Sequence, residues 1–118
     1  MVVEYWEGEN NAVPVLKFIQ SIPEKAQAKV LKALDLLETD GTSLLATNNK
    51  WFRKMSGHQF YELRILFNKT YYRIFVALEP PGAWLIHGII KKTDKTPDRD
   101  IQIVEERIKL IKQSTHNN

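Results

Sequence analysis

The chain has no cysteine, which removes disulfides, thiol nucleophiles and thiolate metal ligands together. Its three histidines, His58, His87 and His116, lie far apart and form no His-x-x-x-His pair, so no metal site is expected. No apolar run approaches the ~18 residues that a membrane span requires. The start, MVVEYWEGENN, is acidic and lacks the basic stretch of a signal peptide, so a cytoplasmic protein is expected. Repeats and low-complexity segments are also missing. What remains is 118 residues with 43% hydrophobic side chains, enough for a packed core and too many for wholesale disorder. One domain over residues 1–113 with a flexible tail at 114–118 is the expected organisation.

Charge is unevenly placed. Residues 1–40 carry 4 basic and 7 acidic side chains, a balance of −3. Residues 41–73 carry 6 and 1, a balance of +5, and residues 74–118 carry 7 and 6, a balance of +1. The basic middle third is interleaved with Trp51, Phe52, Phe60 and Tyr61, a pattern that suits either a polyanion or the solvated faces of ordinary strands.

The spacing of apolar residues predicts the elements. Residues 2–6 have strand composition and end at the Gly8 to Asn11 break. Pro14 opens a helix carrying Val15, Phe18, Ile19 and Ile22. Ser21-Ile-Pro-Glu24 reads as a capping box for a second helix, with Ala26, Val30, Leu34 and Leu37 inward and Gly41 as its stop. Strands follow at 51–55, 60–67, 70–78 and 84–90, the middle pair joined at Asn68-Lys69. Thr96 as cap and Pro97 at the first position open a last helix that buries Ile101, Val104, Ile108 and Ile111. The expected class is α+β: an N-terminal strand and a two-helix hairpin packed on a twisted antiparallel sheet, plus a C-terminal helix.

One pairing stands out. If Asn68-Lys69 is a two-residue loop, Phe67 meets Thr70 and Arg64 falls directly opposite Arg73, on the face away from Leu63, Ile65 and Ile74. Like charges directly opposite one another destabilise a sheet. Either an anion such as phosphate lies between these two permanent cations, or each arginine bridges to a carboxylate such as Glu62 or Glu79. Lys91 and Lys92 end the next strand, and alternation brings one of them to the same edge.

Four strings in this order resemble the RelE/ParE toxin superfamily, closest to its HigB-like, phage-derived branch: Pro14-Val-x-x-Phe-Ile-x-Ser-Ile-Pro23, Tyr61-Glu-Leu-Arg-Ile65, Tyr72-Arg-Ile-Phe75, and Leu85-Ile-His-Gly88 followed by Lys91-Lys-Thr-x-Lys-Thr-Pro97. The resemblance runs from about Val3 to Lys112 and implies the RelE-like fold. It further implies the toxin of a type II toxin–antitoxin pair, a metal-independent and cofactor-free mRNA endonuclease acting on the ribosome. Such enzymes leave a 2′,3′-cyclic phosphate. The partners it implies are a cognate helix-turn-helix antitoxin, in a toxin–antitoxin hetero-oligomer, together with the ribosome and mRNA; no membrane is involved.

Within that resemblance, Arg64 and Arg73 stabilise charge on the phosphorane, the largest need in such chemistry. Lys92 is the catalytic lysine and Lys91 binds RNA; apart from the resemblance, Arg53 and Lys54, close to the aromatic pair Trp51-Phe52, and Lys95 are the further RNA-binding candidates. The general base departs from the family pattern, because no tyrosine follows Tyr72 and His116 falls in the tail. Glu62, Tyr61 and His87 are the candidates, and Glu62 shares the face of Arg64. Trp51, Phe52 and Phe60 are available to stack on bases, and Gly88 within a strand marks a bulge or a close backbone approach. Two other readings fit the same residues: a non-enzymatic toxin that binds a protein target such as DNA gyrase, and an inactive prophage-derived relative.

Overall fold

A computed structural model describes residues 1–46, 50–79, 81–91 and 95–116. The elements are β1 (Val2–Tyr5), α1 (Pro14–Ser21), α2 (Glu24–Asp40), β2 (Phe52–Lys54), β3 (Tyr61–Phe67), β4 (Thr70–Glu79), β5 (Gly82–Lys91) and α3 (Asp98–His116). Short 3₁₀ turns at Glu9–Asn11 and Gly41–Ala46 lead into α1 and follow α2. The class is the expected α+β. Among the described residues no helix is long and apolar enough to cross a membrane.

The five strands form one sheet in the order β1-β5-β4-β3-β2. Four run antiparallel to their neighbours, but β1 pairs parallel to β5, Val2 opposite Gly82 and Tyr5 opposite Leu85. The sheet is therefore mixed rather than purely antiparallel. Both helices α1 and α2 lie between β1 and the next strand, a connection long enough to bring the chain back on the far edge.

Helices cover both faces. One face buries Leu63, Ile74 and Leu85 against Val15 and Ile19 of α1 and Val30, Leu34 and Leu37 of α2. The other buries Phe60, Phe75, Ala77 and Ile86 against Val104, Ile108 and Ile111 of α3. Strand alternation feeds the two cores separately, since successive side chains point to opposite sides. The helical stripes read from spacing are these same residues. Gly41 ends α2 as expected, with φ +58 and its N–H bonded to the Leu37 carbonyl.

Two helix starts differ from expectation. No side-chain cap closes α2: Pro23 occupies its N-cap, and the Ser21 hydroxyl instead donates 2.7 Å to the Phe18 carbonyl. Ser21 is still the last residue of α1, so its side chain serves that helix and not the next. At α3, Pro97 sits one position earlier than expected, its carbonyl accepting from Asp100 N (3.0 Å) and Ile101 N (3.2 Å). Thr96 is thereby displaced from the cap and turned into the sheet. The helix then continues through His116.

Three irregularities shape the sheet. Asn68 (φ +51) and Lys69 (φ +63) both adopt left-handed backbone, the conformation of a type I′ turn whose twist matches the flanking strands. Phe67 consequently pairs with Thr70. Between Phe75↔His87 and Val76↔Leu85 the register shifts, leaving Ile86 as an extra residue on β5. Gly88 then permits α1 to press on the strand: a Cβ there would lie 2.5 Å from the Phe18 ring. The bulge and the close approach read from Gly88 are both present, two residues apart.

Candidate nucleic-acid interface

The β3–β4 register places Arg64 directly opposite Arg73, on the face that carries α3. Fold and turn resolve the repulsion by giving the two guanidiniums different surroundings. Arg73 is wholly buried (0% exposed) and donates from Nη1 to the Thr96 hydroxyl at 3.2 Å. Its Nη1 also lies 3.6 Å from Glu62 Oε2, and Glu62 is 1% exposed. Glu62 in turn is cross-strand partner to Arg53 of β2, whose half-exposed Nη2 is 3.6 Å from Oε1. A buried carboxylate between two guanidiniums compensates charge where water cannot, which a surface pair would not need. The bridge from arginine to Glu62 anticipated from the sequence is thus present for Arg73. Glu79 pairs elsewhere, with Lys112 at 4.0 Å.

Arg64 takes the other route. It is half-buried, and its guanidinium carbon lies 4.0 Å from the centre of the Tyr71 ring. Stacking on the ring face orients the planar fork while leaving it near solvent. Tyr71 belongs to a row that crosses the sheet: it is opposite Leu66 on β3 and Lys91 on β5. Leu66 is 49% exposed, and Tyr71 and Lys91 are half-buried. This end of the face therefore brings together Arg64, Tyr71, Lys91 and Leu66, with Arg73 beneath.

The remaining candidates separate. Arg53 shares the arginine face, whereas Lys54, opposite Tyr61, has the parity of Leu63 and lies on the other side of the sheet. Lys95 is exposed just before α3. Lys92 lies outside the described residues. Glu62, as the proton acceptor for a substrate, is sealed from solvent in this arrangement. Phe60 (1% exposed) and Phe52 (1%) are core residues and present no ring to a base. Tyr61 stacks on Phe52 at 5.8 Å on the α1/α2 side, and Trp51 is half-buried beside it.

His87 is held in a network of its own. Its Nε2 is 2.8 Å from Asp100 Oδ1 in the first turn of α3, and its ring stacks on Phe75 at 6.2 Å. Arg107 Nη1 donates 2.8 Å to the Ile86 carbonyl and lies 3.4 Å from His87 Nδ1. The Arg107 guanidinium also covers the Trp6 ring at 4.5 Å, and burial lowers its pKa from the usual arginine value. Asp100 and Thr96 pin the start of α3 to the sheet at two points, through His87 and Arg73.

Sequence reasoning missed Tyr71, Asp100 and Arg107. Tyr71 was within reach: it has the parity of Arg73, two residues away, so any register that exposes the arginine face exposes it too. The other two depend on how α3 lies over β5, which no local pattern encodes.

Residues 17–109 match the family described as Phage derived protein Gp49-like (DUF891). The chain belongs to that phage-derived, Gp49-like family. The matched span holds β2 to β5, most of both long helices, and every residue of the arginine face. Among curated proteins and solved structures, none matches the chain.

Proposed function

We propose that this Gp49-like chain is the toxin of a toxin–antitoxin pair and cleaves mRNA on the ribosome by metal-independent transesterification. The observation that carries the reading is the Arg64–Arg73 pairing on one face, with Arg64 laid on Tyr71 and Lys91 in the same row. The phage-derived family agrees with the branch that the sequence resembles.

In the proposed reaction the RNA's 2′-oxygen loses its proton and attacks the adjacent phosphorus. The P–O5′ bond breaks, O5′ takes up a proton, and a 2′,3′-cyclic phosphate and a 5′-hydroxyl remain. Arg64 and Lys91 address the non-bridging oxygens, where negative charge grows. Arg73 does not reach the substrate; paired with buried Glu62 and bonded to Thr96, it holds the strand beneath Arg64. Tyr71 is the titratable hydroxyl at that surface and replaces Glu62 as the candidate for proton handling at O2′. Its ring also offers a base a stacking surface next to a guanidinium.

The experiment is induction in cells followed by primer-extension mapping of transcripts. Cuts within translated regions are expected, and Arg64→Ala is expected to weaken them by about 10²–10³-fold, the usual effect of losing one charge-stabilising donor. Tyr71→Phe separates roles: a loss of cutting assigns the hydroxyl, and retained cutting assigns only the ring. Intact transcripts under growth arrest would overturn the nuclease reading, and DNA damage alongside them would point to a protein target such as gyrase. An adjacent reading frame for a helix-turn-helix protein is the expected antitoxin.

A further inference from the structure

A second surface feature lies well away from the arginine face. It is a groove of about 1100 Å³ between the segment that runs out of β1 and the last turns of α3. Trp6, Trp84 and Leu110 form its apolar wall, and Glu4, Glu7 and Glu9 stand along it. The three glutamates are exposed, and Leu110 is 53% exposed. The wall is held in place from behind, since Arg107 lies on the Trp6 ring at 4.5 Å. β1 is also the edge strand of the sheet, so its outer backbone edge faces solvent beside the groove.

We propose that this groove binds a polypeptide segment of a partner protein, one in which an apolar anchor residue is flanked by lysine or arginine. Apolar walls with a carboxylate rim select that chemistry. Tryptophan and leucine surfaces gain by covering an aliphatic or aromatic side chain, and three carboxylates attract cations beside it and repel a phosphate backbone. A second copy of the same groove is disfavoured by the same charges. A fixed wall lowers the ordering cost of binding.

The groove is a separate site from the arginine face. Trp84 and Lys91 are seven residues apart on β5, roughly 23 Å at the rise of an extended strand. Apart from Trp84, the six named residues lie outside the span that matches the Gp49-like family. A segment seated here leaves Arg64 and Lys91 uncovered, so the proposal stands or falls without the nuclease reading.

The test is a random-peptide phage library panned on the full chain. Enriched peptides are then synthesised and titrated by tryptophan fluorescence and calorimetry. The expected result is enrichment of sequences with Leu, Phe or Trp between Lys or Arg residues. Their affinity is expected to fall about tenfold or more in Glu7→Lys/Glu9→Lys and in Leu110→Ser, and to be unchanged in Arg64→Ala. Equal thermal melting of the variants confirms that folding is intact, and Glu7→Gln/Glu9→Gln provides a milder second pair. Enrichment of acidic peptides, affinity indifferent to the groove variants, absence of enrichment, or self-association abolished by Glu7→Lys/Glu9→Lys would each overturn the proposal.

Discussion

Arg73 and Arg64, direct cross-strand partners, show how one residue type takes two physical roles at facing positions. Arg73 is sealed, hydrogen-bonded to Thr96 and 3.6 Å from buried Glu62. Truncating it strands a carboxylate in a dry interior, and such losses cost about 3–5 kcal/mol. Arg73→Ala is therefore expected to lower the urea midpoint strongly, whereas Arg64→Ala, at a half-exposed site, is expected to change it by less than about 1 kcal/mol. That contrast, measured by denaturation, decides which arginine is structural. Gly88 is a second residue-scale constraint. Gly88→Ala puts a methyl group 2.5 Å from the Phe18 ring and is expected to cost about 1–3 kcal/mol by overpacking. Shortening the obstacle with Phe18→Leu in the same chain is expected to recover part of that loss, a coupling that a double-mutant cycle reads directly.

At the scale of elements, the β3–β4 hairpin sets the site's register, and its turn carries a strained lysine. Lys69 adopts φ +63, which costs a side-chain-bearing residue energy that glycine does not pay. Lys69→Gly is expected to stabilise the fold by about 0.5–1 kcal/mol and raise the melting temperature by a few degrees. If stability falls instead, the turn is not type I′ and the facing of Arg64 and Arg73 loses its basis. β1 makes a different kind of prediction. Burial, and then the nearby charge of Glu38, raise the pKa of Tyr5 above its ordinary value. The folded state thus keeps the phenol protonated when the unfolded chain has lost it. The associated stability is present below about pH 10 and declines as pH rises through the folded-state pKa. Tyr5→Phe is expected to remove that alkaline decline, as read by denaturation at a series of pH values.

Across the whole molecule, charge is sorted by location. The acidic N-terminal third contributes the glutamates at the β1 edge, and the basic middle third contributes Arg53, Arg64 and Arg73 on β2, β3 and β4. The acidic β1 edge and the basic arginine face therefore carry opposite charges, which suits one partner that is a polyanion and another that is not. For RNA binding the consequence is measurable. The slope of log affinity against log salt is expected to shrink by about 0.7 for each of Arg64→Ala and Lys91→Ala, the single-strand value per phosphate contact. Glu7→Lys, far from that face, is expected to leave the slope unchanged.

Helix stripes, strand parity, the two-residue hairpin and the Arg64–Arg73 pairing were all legible in the sequence, because each depends on spacing within one element or across one tight turn. The same local rules failed at the ends of α2 and α3. There, Pro23 and Pro97 stand at the helix starts, and the hydroxyls of Ser21 and Thr96 bond instead to the Phe18 carbonyl and the Arg73 guanidinium. The amino-acid order alone thus determined which side chains share a face. Only the tertiary structure decided which members of a face see water, because Thr96 before α3 and Arg53 of β2 close on Arg73 and Glu62, while Leu66 at the hairpin end stays 49% exposed. That is why Arg73 and Glu62 became interior groups, why Arg64 and Tyr71 stayed at the surface, and why distant residues 4–9 and 110 came to line one groove.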